Sequence, residues 1–180
     1  MIRQFVAAIL VALPLGAAAQ SYVPAHERDQ GIETGTELVM VYIGASHCGP
    51  CIQPDYKAAL EQAKLLLAEQ AEAAGHGFAV IGVSIDYSAD VGFQFLKESG
   101  GFDELVIGRN WFNSLALSHF GVTEGQEPRQ LALPSVILYE RDMTLAGSIR
   151  ASEPRYIRQV AGGVALPEWV AAGAPLTDPQ

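Results

Sequence analysis

Two kinds of apolar spacing alternate along the first half of this chain. Residues 37–45 (ELVMVYIGA) and 78–86 (FAVIGVSID) are nearly continuous apolar runs with many β-branched members, which is typical of strands covered on both faces. Within residues 52–71 the apolar positions instead recur at helical spacing, with charged side chains such as Lys64 on the other face. The pattern predicts a strand, a helix that ends near Ala74, and a second strand.

Shorter elements follow the second strand. The pattern predicts, in chain order, a helix over 88–99 capped by Ser88, a short strand at 104–108, a helix over 110–122, two strands on either side of a turn at 141–143, and a helix over 152–163. Pro54 is expected to kink the first helix or to disturb its first turn. Strands that alternate with helices pair in parallel, and the last hairpin adds antiparallel strands. We therefore expect an α/β fold, a mixed central sheet with helices on both faces.

The first residues differ in character from the rest. Residues 1–19 combine a basic start at Arg3, an apolar run and a small-residue Ala-x-Ala end, which are the three parts of a secretory signal peptide. The apolar run is shorter than the ~20 residues that span a bilayer, so we expect cleavage after Ala19 and export to the periplasm. Three segments would follow: an irregular lead-in at 20–36, one domain at 37–163 and an irregular tail at 164–180.

The expected mature chain is strongly acidic. Loss of the first 19 residues removes only one charged residue, which leaves 10 basic and 20 acidic side chains. This balance argues against nucleic acid and anionic membrane surfaces as partners. No other run is long enough to cross a membrane, so the mature protein is not expected to span one. Asp86, Asp90 and Asp103 form no pair by spacing and are expected to be surface charges.

Only two cysteines occur, Cys48 and Cys51, in the stretch ASHCGPCIQP. Disulfides persist outside the cytoplasm, but a mature chain of about 160 residues can bury a core without such a link. The pair is therefore more suited to chemistry than to stabilising the fold. A structural zinc site needs four ligands, and no second CxxC or HxxxH is present. Copper(I) bound by the two thiolates and His47 stays open as an alternative.

The place of the cysteines predicts different roles for them. Cys48 would lie where the first strand ends and the helix begins, and a helix N-terminus stabilises a thiolate. Gly49 leaves its sulfur uncovered, and Pro50 suits a first helical turn. Cys51 would be more buried and able to close the disulfide. His47 would add positive charge beside Cys48 if protonated, or would simply be a surface residue.

These residues resemble a known family. CGPC at 48–51, after an apolar strand and before a helix, is similar to the thioredoxin active site, and LPS at 133–135 precedes the strand VILYE where thioredoxin-like proteins carry a cis-proline. The layout of residues 37–162 resembles that of exported, TlpA-like thioredoxins. Tyr42 stands where thioredoxin has a buried aspartate, and His47 where it has a tryptophan.

The resemblance implies a thioredoxin-like fold and an exported thiol–disulfide oxidoreductase that reduces protein disulfides. Cys48 would attack the substrate disulfide and Cys51 would resolve the mixed disulfide. Pro134 would face the sulfurs, and the Leu133 backbone would bind a substrate strand. An upstream electron donor, expected in the membrane, would be required, and no organic cofactor is expected. A copper(I)-handling protein, or a binding module with a relic motif, are the alternatives.

Overall fold

A computed structural model of the chain describes residues 20–25, 34–120, 131–145 and 147–177. The strands are β1 (Gly35–Gly44), β2 (Gly77–Ser84), β3 (Glu104–Val106), β4 (Ser135–Leu145), β5 (Ile149–Ala151) and β6 (Arg155–Ala161). The helices are α1 (Pro54–Ala73), α2 (Ala89–Glu98), α3 (Ser114–Phe120) and α4 (Ala165–Ala171), and two 3-10 turns lie at Pro50–Ile52 and Asn110–Phe112. The predicted signal peptide lies outside the described residues.

The strands of the described residues form one mixed sheet with β1 at its centre. The order is β3-β2-β1-β4-β5, and β6 also pairs with β4. β1, β2 and β3 are parallel, whereas β4 runs antiparallel to β1, β5 and β6. Side chains from Val39 to Ile43 are fully buried, because β1 has a strand on each side and a covered surface above and below. This explains the continuous apolar run, and the predicted mixed sheet is confirmed.

Helices cover both faces of the sheet. Even-numbered residues of β1 share one face with Ser84 of β2. A Cβ on Gly92 of α2 would lie 2.8 Å from the Ser84 hydroxyl, so α2 packs on that face. Odd-numbered residues of β1 share the other face with Tyr139, whose ring lies 5.8 Å from that of His119 in α3. The prediction of helices on both faces is therefore confirmed.

α1 lies between α2 and α4 on the first face. Lys57 of α1 pairs with Glu98 of α2 at 3.7 Å. Further along α1, the Gln70 amide donates to the carbonyls of Gly173 and Ala174, both at 3.2 Å. The strand order, the helix placement and the position of the cysteines between β1 and α1 make this a thioredoxin-like fold.

The prediction for the last third of the chain is wrong in two places. Residues predicted as a helix form β6, in which Ile137 of β4 pairs with Gln159. The predicted irregular tail contains α4, whose Leu166 and Trp169 are buried in the core. The open side of β4 supplies backbone hydrogen-bond partners to this segment, and such tertiary pairing outweighs local spacing. The domain therefore extends past residue 163 to at least Ala174, which is fully buried.

The predicted turn at 141–143 is also misplaced. β4 continues through these residues because β1 extends alongside, with Glu37 opposite Arg141 and Thr36 opposite Asp142. The Arg141 guanidinium and the Glu37 carboxylate are 2.7 Å apart. β5 pairs antiparallel with the end of β4, with Leu145 opposite Ile149.

Lys64 and Asp103, two polar residues expected at the surface, instead hold the chain near the start of β3. Lys64 is fully buried, pairs with Glu61 and donates to the Gly101 carbonyl at 2.9 Å. Half-buried Asp103 accepts hydrogen bonds from the Tyr22 hydroxyl at 2.6 Å, the Ala25 N–H at 2.6 Å and the Val80 N–H at 2.7 Å.

Other local predictions are confirmed. Ser88 caps α2 by accepting a hydrogen bond from the Val91 N–H at 3.5 Å. α1 ends at Ala73, and Gly75 has the positive φ of 70° that follows many helices. In the part of the chain that the structure describes, no helix has the length and apolar character to cross a membrane.

Candidate active site

The two cysteines form a disulfide at the carboxyl end of β1. Their Cα atoms are 5.3 Å apart. Cys48 lies in the loop after β1 and is 9% exposed, whereas Cys51 lies in the first 3-10 turn and is 0% exposed. Cys51 is therefore the more buried of the two, as predicted, but Cys48 is itself nearly buried and less exposed than a sulfur left uncovered by Gly49 would be.

The helical support beneath Cys48 differs from the prediction. The turn that holds Pro50 and Cys51 spans only Pro50–Ile52 and ends at Gln53, whose ψ of 136° is extended. α1 begins afresh at Pro54, because a proline suits the first position of a helix and its predecessor favours extended backbone. The influence of a helix dipole falls off within its first turn. Electrostatic support for a Cys48 thiolate must therefore come mainly from nearer groups.

A cis-proline lies at the same edge of the sheet. The Leu133–Pro134 peptide bond is cis, as the resemblance implied. Pro134 directly precedes Ser135, which pairs with Ile43 near the end of β1. The start of β4 and the loop that carries Cys48 therefore meet at one edge.

The loop after β6 contacts both Pro134 and Pro50. The Gly162 N–H donates to the Pro134 carbonyl at 2.8 Å. A Cβ on Gly163 would lie 2.6 Å from the Cβ of Pro50, so a residue without a side chain is required there. These glycines end the segment predicted as a helix over 152–163, and nothing in that prediction indicated their contact with the site.

The backbone before the cis-proline is available for another strand. Leu133 is half-buried, and neither its N–H nor its carbonyl makes a hydrogen bond to any residue that the structure describes. Backbone groups left open beside a sheet edge can pair with an added extended peptide.

A buried carboxylate holds the loop that leads to Cys48. Asp86, predicted to be a surface charge, is 4% exposed. It accepts hydrogen bonds from the Ser84 hydroxyl and the Ser46 hydroxyl, both at 2.7 Å, and from the Ser46 N–H at 3.1 Å. His47 Nδ1 lies 3.3 Å from Asp86 Oδ1, although two thirds of its side chain is exposed.

The protonation of Asp86 reflects two opposing effects. Burial raises the pKa of its carboxyl, but hydrogen bonds from Ser84, Ser46 and His47 outweigh it and hold the pKa below its usual value. Asp86 is therefore a carboxylate at neutral pH. The only signal for this residue in the sequence is its position directly after an apolar strand, since Ser46 lies 40 residues away.

Tyr42 does not replace the family's aspartate as a titrating group. Tyr42 and Tyr56 are buried with ring centroids 6.3 Å apart, and neither hydroxyl has a hydrogen-bond partner in the described residues. Burial raises the pKa of both phenols further above the physiological range. Both stay protonated at neutral pH. The Tyr42 hydroxyl would lie 2.5 Å from a Cβ on Gly44, so the tyrosine also requires a glycine at that position.

The copper(I) alternative needs Cys48 and Cys51 as thiolates, and the structure has them joined in a disulfide. Among described residues, no three His, Cys, Asp or Glu side chains are grouped to hold an ion. His76 lies 3.8 Å from Glu140, and His119 is buried against Tyr139, away from the cysteines in the sheet. Copper(I) binding stays a prediction.

No protein-family model matches this chain, and no curated protein does. Among solved structures, a thiol-disulfide oxidoreductase from Bacteroides fragilis is 19% identical over 66% of this chain and 71% of its own, with a TM-score of 0.39. A secreted thiol-disulfide isomerase from Corynebacterium glutamicum is 18% identical over 96% and 99%, with a TM-score of 0.40. Copper-bound yeast Sco1 is 15% identical over 75% and 72%, also with 0.40. These similarities are too distant to transfer a function, so a function can be inferred only from the residues and geometry of this chain.

Proposed function

We propose that this protein is an exported thiol–disulfide oxidoreductase that reduces disulfides of periplasmic proteins. The observation that carries the proposal is the disulfide between Cys48, which is 9% exposed, and Cys51, which is not exposed, at the same edge of the sheet as the cis-proline. A stabilising disulfide has no need of this asymmetry, whereas thiol exchange requires one sulfur that a substrate can reach.

In the proposed reaction the reduced protein passes two electrons to its substrate. The Cys48 thiolate attacks one sulfur of the substrate disulfide, and a mixed disulfide forms as the first substrate thiolate leaves and takes up a proton. Cys51 loses its proton and attacks the Cys48 sulfur, which releases the second substrate thiol and closes the protein disulfide. A dithiol donor, which we expect in the membrane, restores the reduced form by the same exchange run in reverse.

The backbone of Leu133 supplies a place for the substrate. Its N–H and carbonyl, which bond to none of the described residues, adjoin Pro134, so an extended substrate segment can pair there and present its disulfide to Cys48. Gly49 and Pro50 form the turn over which that segment would pass. This recognition uses main-chain atoms, and it therefore suits substrates of varied sequence.

The test is reduction of insulin with dithiothreitol as the electron source. The parent protein should accelerate insulin precipitation, and Cys48→Ser should abolish the acceleration because the attacking sulfur is lost. Cys51→Ser should instead accumulate a mixed disulfide with insulin that non-reducing gels reveal. Equal activity in the parent and Cys48→Ser would overturn the proposal.

The same variants distinguish copper(I) handling from disulfide reduction. Thiol-dependent binding of one copper(I) ion by the reduced parent, with no insulin reduction, would favour that function instead. Export is tested separately by cell fractionation and N-terminal sequencing, with Gln20 expected as the first residue of the periplasmic form.

A further inference from the structure

The carboxylate of Asp86 lies next to the exchange site, yet the exchange reaction makes no use of it. A buried carboxylate is costly unless hydrogen bonds and a positive charge compensate it. The Ser84 and Ser46 donors are neutral, so they satisfy its oxygens but leave its charge. His47, at 3.3 Å, is the one side chain bonded to Asp86 in the described residues that can carry a positive charge.

Other ionisable groups on the surrounding elements lie further out. Asp55 at the start of α1, Asp90 on α2, Tyr87 after Asp86 and Arg109 before the second 3-10 turn are all exposed. Within the described ranges, none of these four is bonded to Asp86 or His47. The charge balance at this point therefore depends on the state of a single imidazole.

The carboxylate is close enough to influence Cys48. The chain turns tightly, with the Cys48 N–H donating to the Ala45 carbonyl at 3.1 Å. Consecutive Cα atoms are ~3.8 Å apart, so the Cα atoms of Ser46 and Cys48 are within about 8 Å of each other. A unit charge about 10 Å from a thiolate, at an effective dielectric constant of about 20, shifts its ionisation by about one pH unit.

We propose that Asp86 and His47 act as one unit that sets the reactivity of Cys48. Asp86 is a positioning residue, because it fixes the loop through Ser46 and holds the imidazole through Nδ1. Protonated His47 cancels the carboxylate charge, which would otherwise oppose the Cys48 thiolate. The step affected is ionisation of the Cys48 thiol, which gives a thiolate and releases one proton to solvent. This inference rests on the proposed oxidoreductase function and names a regulator of the same site.

The test is a double-mutant cycle on the rate at which Cys48 is alkylated. All proteins carry Cys51→Ser, so that Cys48 is the only thiol, and iodoacetamide is the probe at pH 6. His47→Asn should slow alkylation by up to about tenfold, the equivalent of about one pH unit, because Asp86 is then uncompensated. In an Asp86→Asn background, the same His47→Asn change should alter the rate less, because the carboxylate that holds the imidazole through Nδ1 is then absent. Equal effects of His47→Asn in both backgrounds would overturn the proposal.

A second histidine–carboxylate pair provides the matched control. His76 Nδ1 lies 3.8 Å from Glu140 Oε1, on elements that do not carry the cysteines. His76→Asn and Glu140→Gln should leave the alkylation rate within about twofold of the parent, as expected if proximity to Cys48 matters. A slowing equal to that of His47→Asn would show a general charge effect and would also overturn the proposal.

The pH profile decides the matter even if Asp86→Asn does not fold. His47→Asn should move the pH midpoint of Cys48 alkylation upward by up to about one pH unit relative to the parent, because the Asp86 carboxylate is then uncompensated. Identical profiles would contradict the coupling. Insulin reduction is measured in parallel with both cysteines intact: a chain that shows the coupling but reduces no disulfide disproves the function and leaves the inference standing.

Discussion

Asp86 follows β2 and Asp103 precedes β3, so the two carboxylates lie toward opposite ends of the same sheet. Each one holds a different part of the chain. Asp103 accepts three hydrogen bonds from Tyr22, Ala25 and Val80, and it fastens the N-terminal segment. Asp86 is more deeply buried, and through Ser46 it holds the loop that carries Cys48. Similar bonding therefore fixes the N-terminal segment at one end and the cysteine loop at the other.

The two ends also differ in how their polar atoms are satisfied. Near Asp103, buried Lys64 is paired with Glu61 and with the Gly101 carbonyl, and its ammonium lies 4.1 Å above the Phe102 ring. Near the cysteines, the Leu133 backbone bonds to no described residue and His47 is largely exposed. The end near Asp103, whose named polar groups are bonded within the protein, is the closed end.

The largest expected effect tests the closed end. Lys64→Ala should lower the free energy of unfolding by about 3–5 kcal/mol, because it leaves Glu61 and buried carbonyls without their cation. Urea denaturation measures the loss, and Glu98→Gln, which breaks an exposed ion pair with Lys57, should cost less than about 1 kcal/mol. The alkylation rate of Cys48 in the folded protein should not change. If Lys64→Ala lowered the free energy of unfolding no more than Glu98→Gln does, the buried Lys64 pair would not stabilise its end of the fold as proposed.

A smaller effect is expected where the chain packs on the cysteine turn. Gly163→Ala forces a Cβ to within 2.6 Å of Pro50, which should cost about 1–3 kcal/mol in unfolding free energy and slow insulin reduction as Pro50 shifts. For stability, Gly49→Ala is the matched control, because a Cβ there meets no described atom within 4 Å and its φ of −51° suits alanine. Equal stability in both variants would show that the turn is not held by this contact.

The smallest expected effect concerns pH. Since the folded pKa of Asp86 lies below its unfolded value of ~3.9, the carboxylate stabilises the fold above that pH, and this contribution is lost as pH falls through the lowered pKa. Asp86→Asn should therefore destabilise the protein at pH 7, and the difference from the parent should narrow below about pH 4. Urea denaturation from pH 7 to pH 3 measures it, with exposed Asp90→Asn as the control. A difference that stayed constant with pH would contradict the assignment.

The local sequence was sufficient for the features that depend on neighbours in the chain. The apolar run of β1, the cap at Ser88, the disulfide-forming spacing of Cys48 and Cys51, and their unequal burial all follow from residues within a few positions of each other. Pro134 was identified differently, through the resemblance of LPS at 133–135 to thioredoxin-like proteins. Such features are readable because hydrogen bonding, turn preference and apolar periodicity act over one or two turns of backbone.

Only the tertiary structure decided the rest, because the partners are far apart in sequence. Pairing with β4 made a strand of the segment after Ser152, and packing on α1 made a helix of the tail around Trp169. Asp86 meets Ser46 across 40 residues, and Gly163 meets Pro50 across more than a hundred. No local pattern marks a carboxylate for burial or a glycine for close approach, since burial and contact are properties of the assembled sheet and its helices.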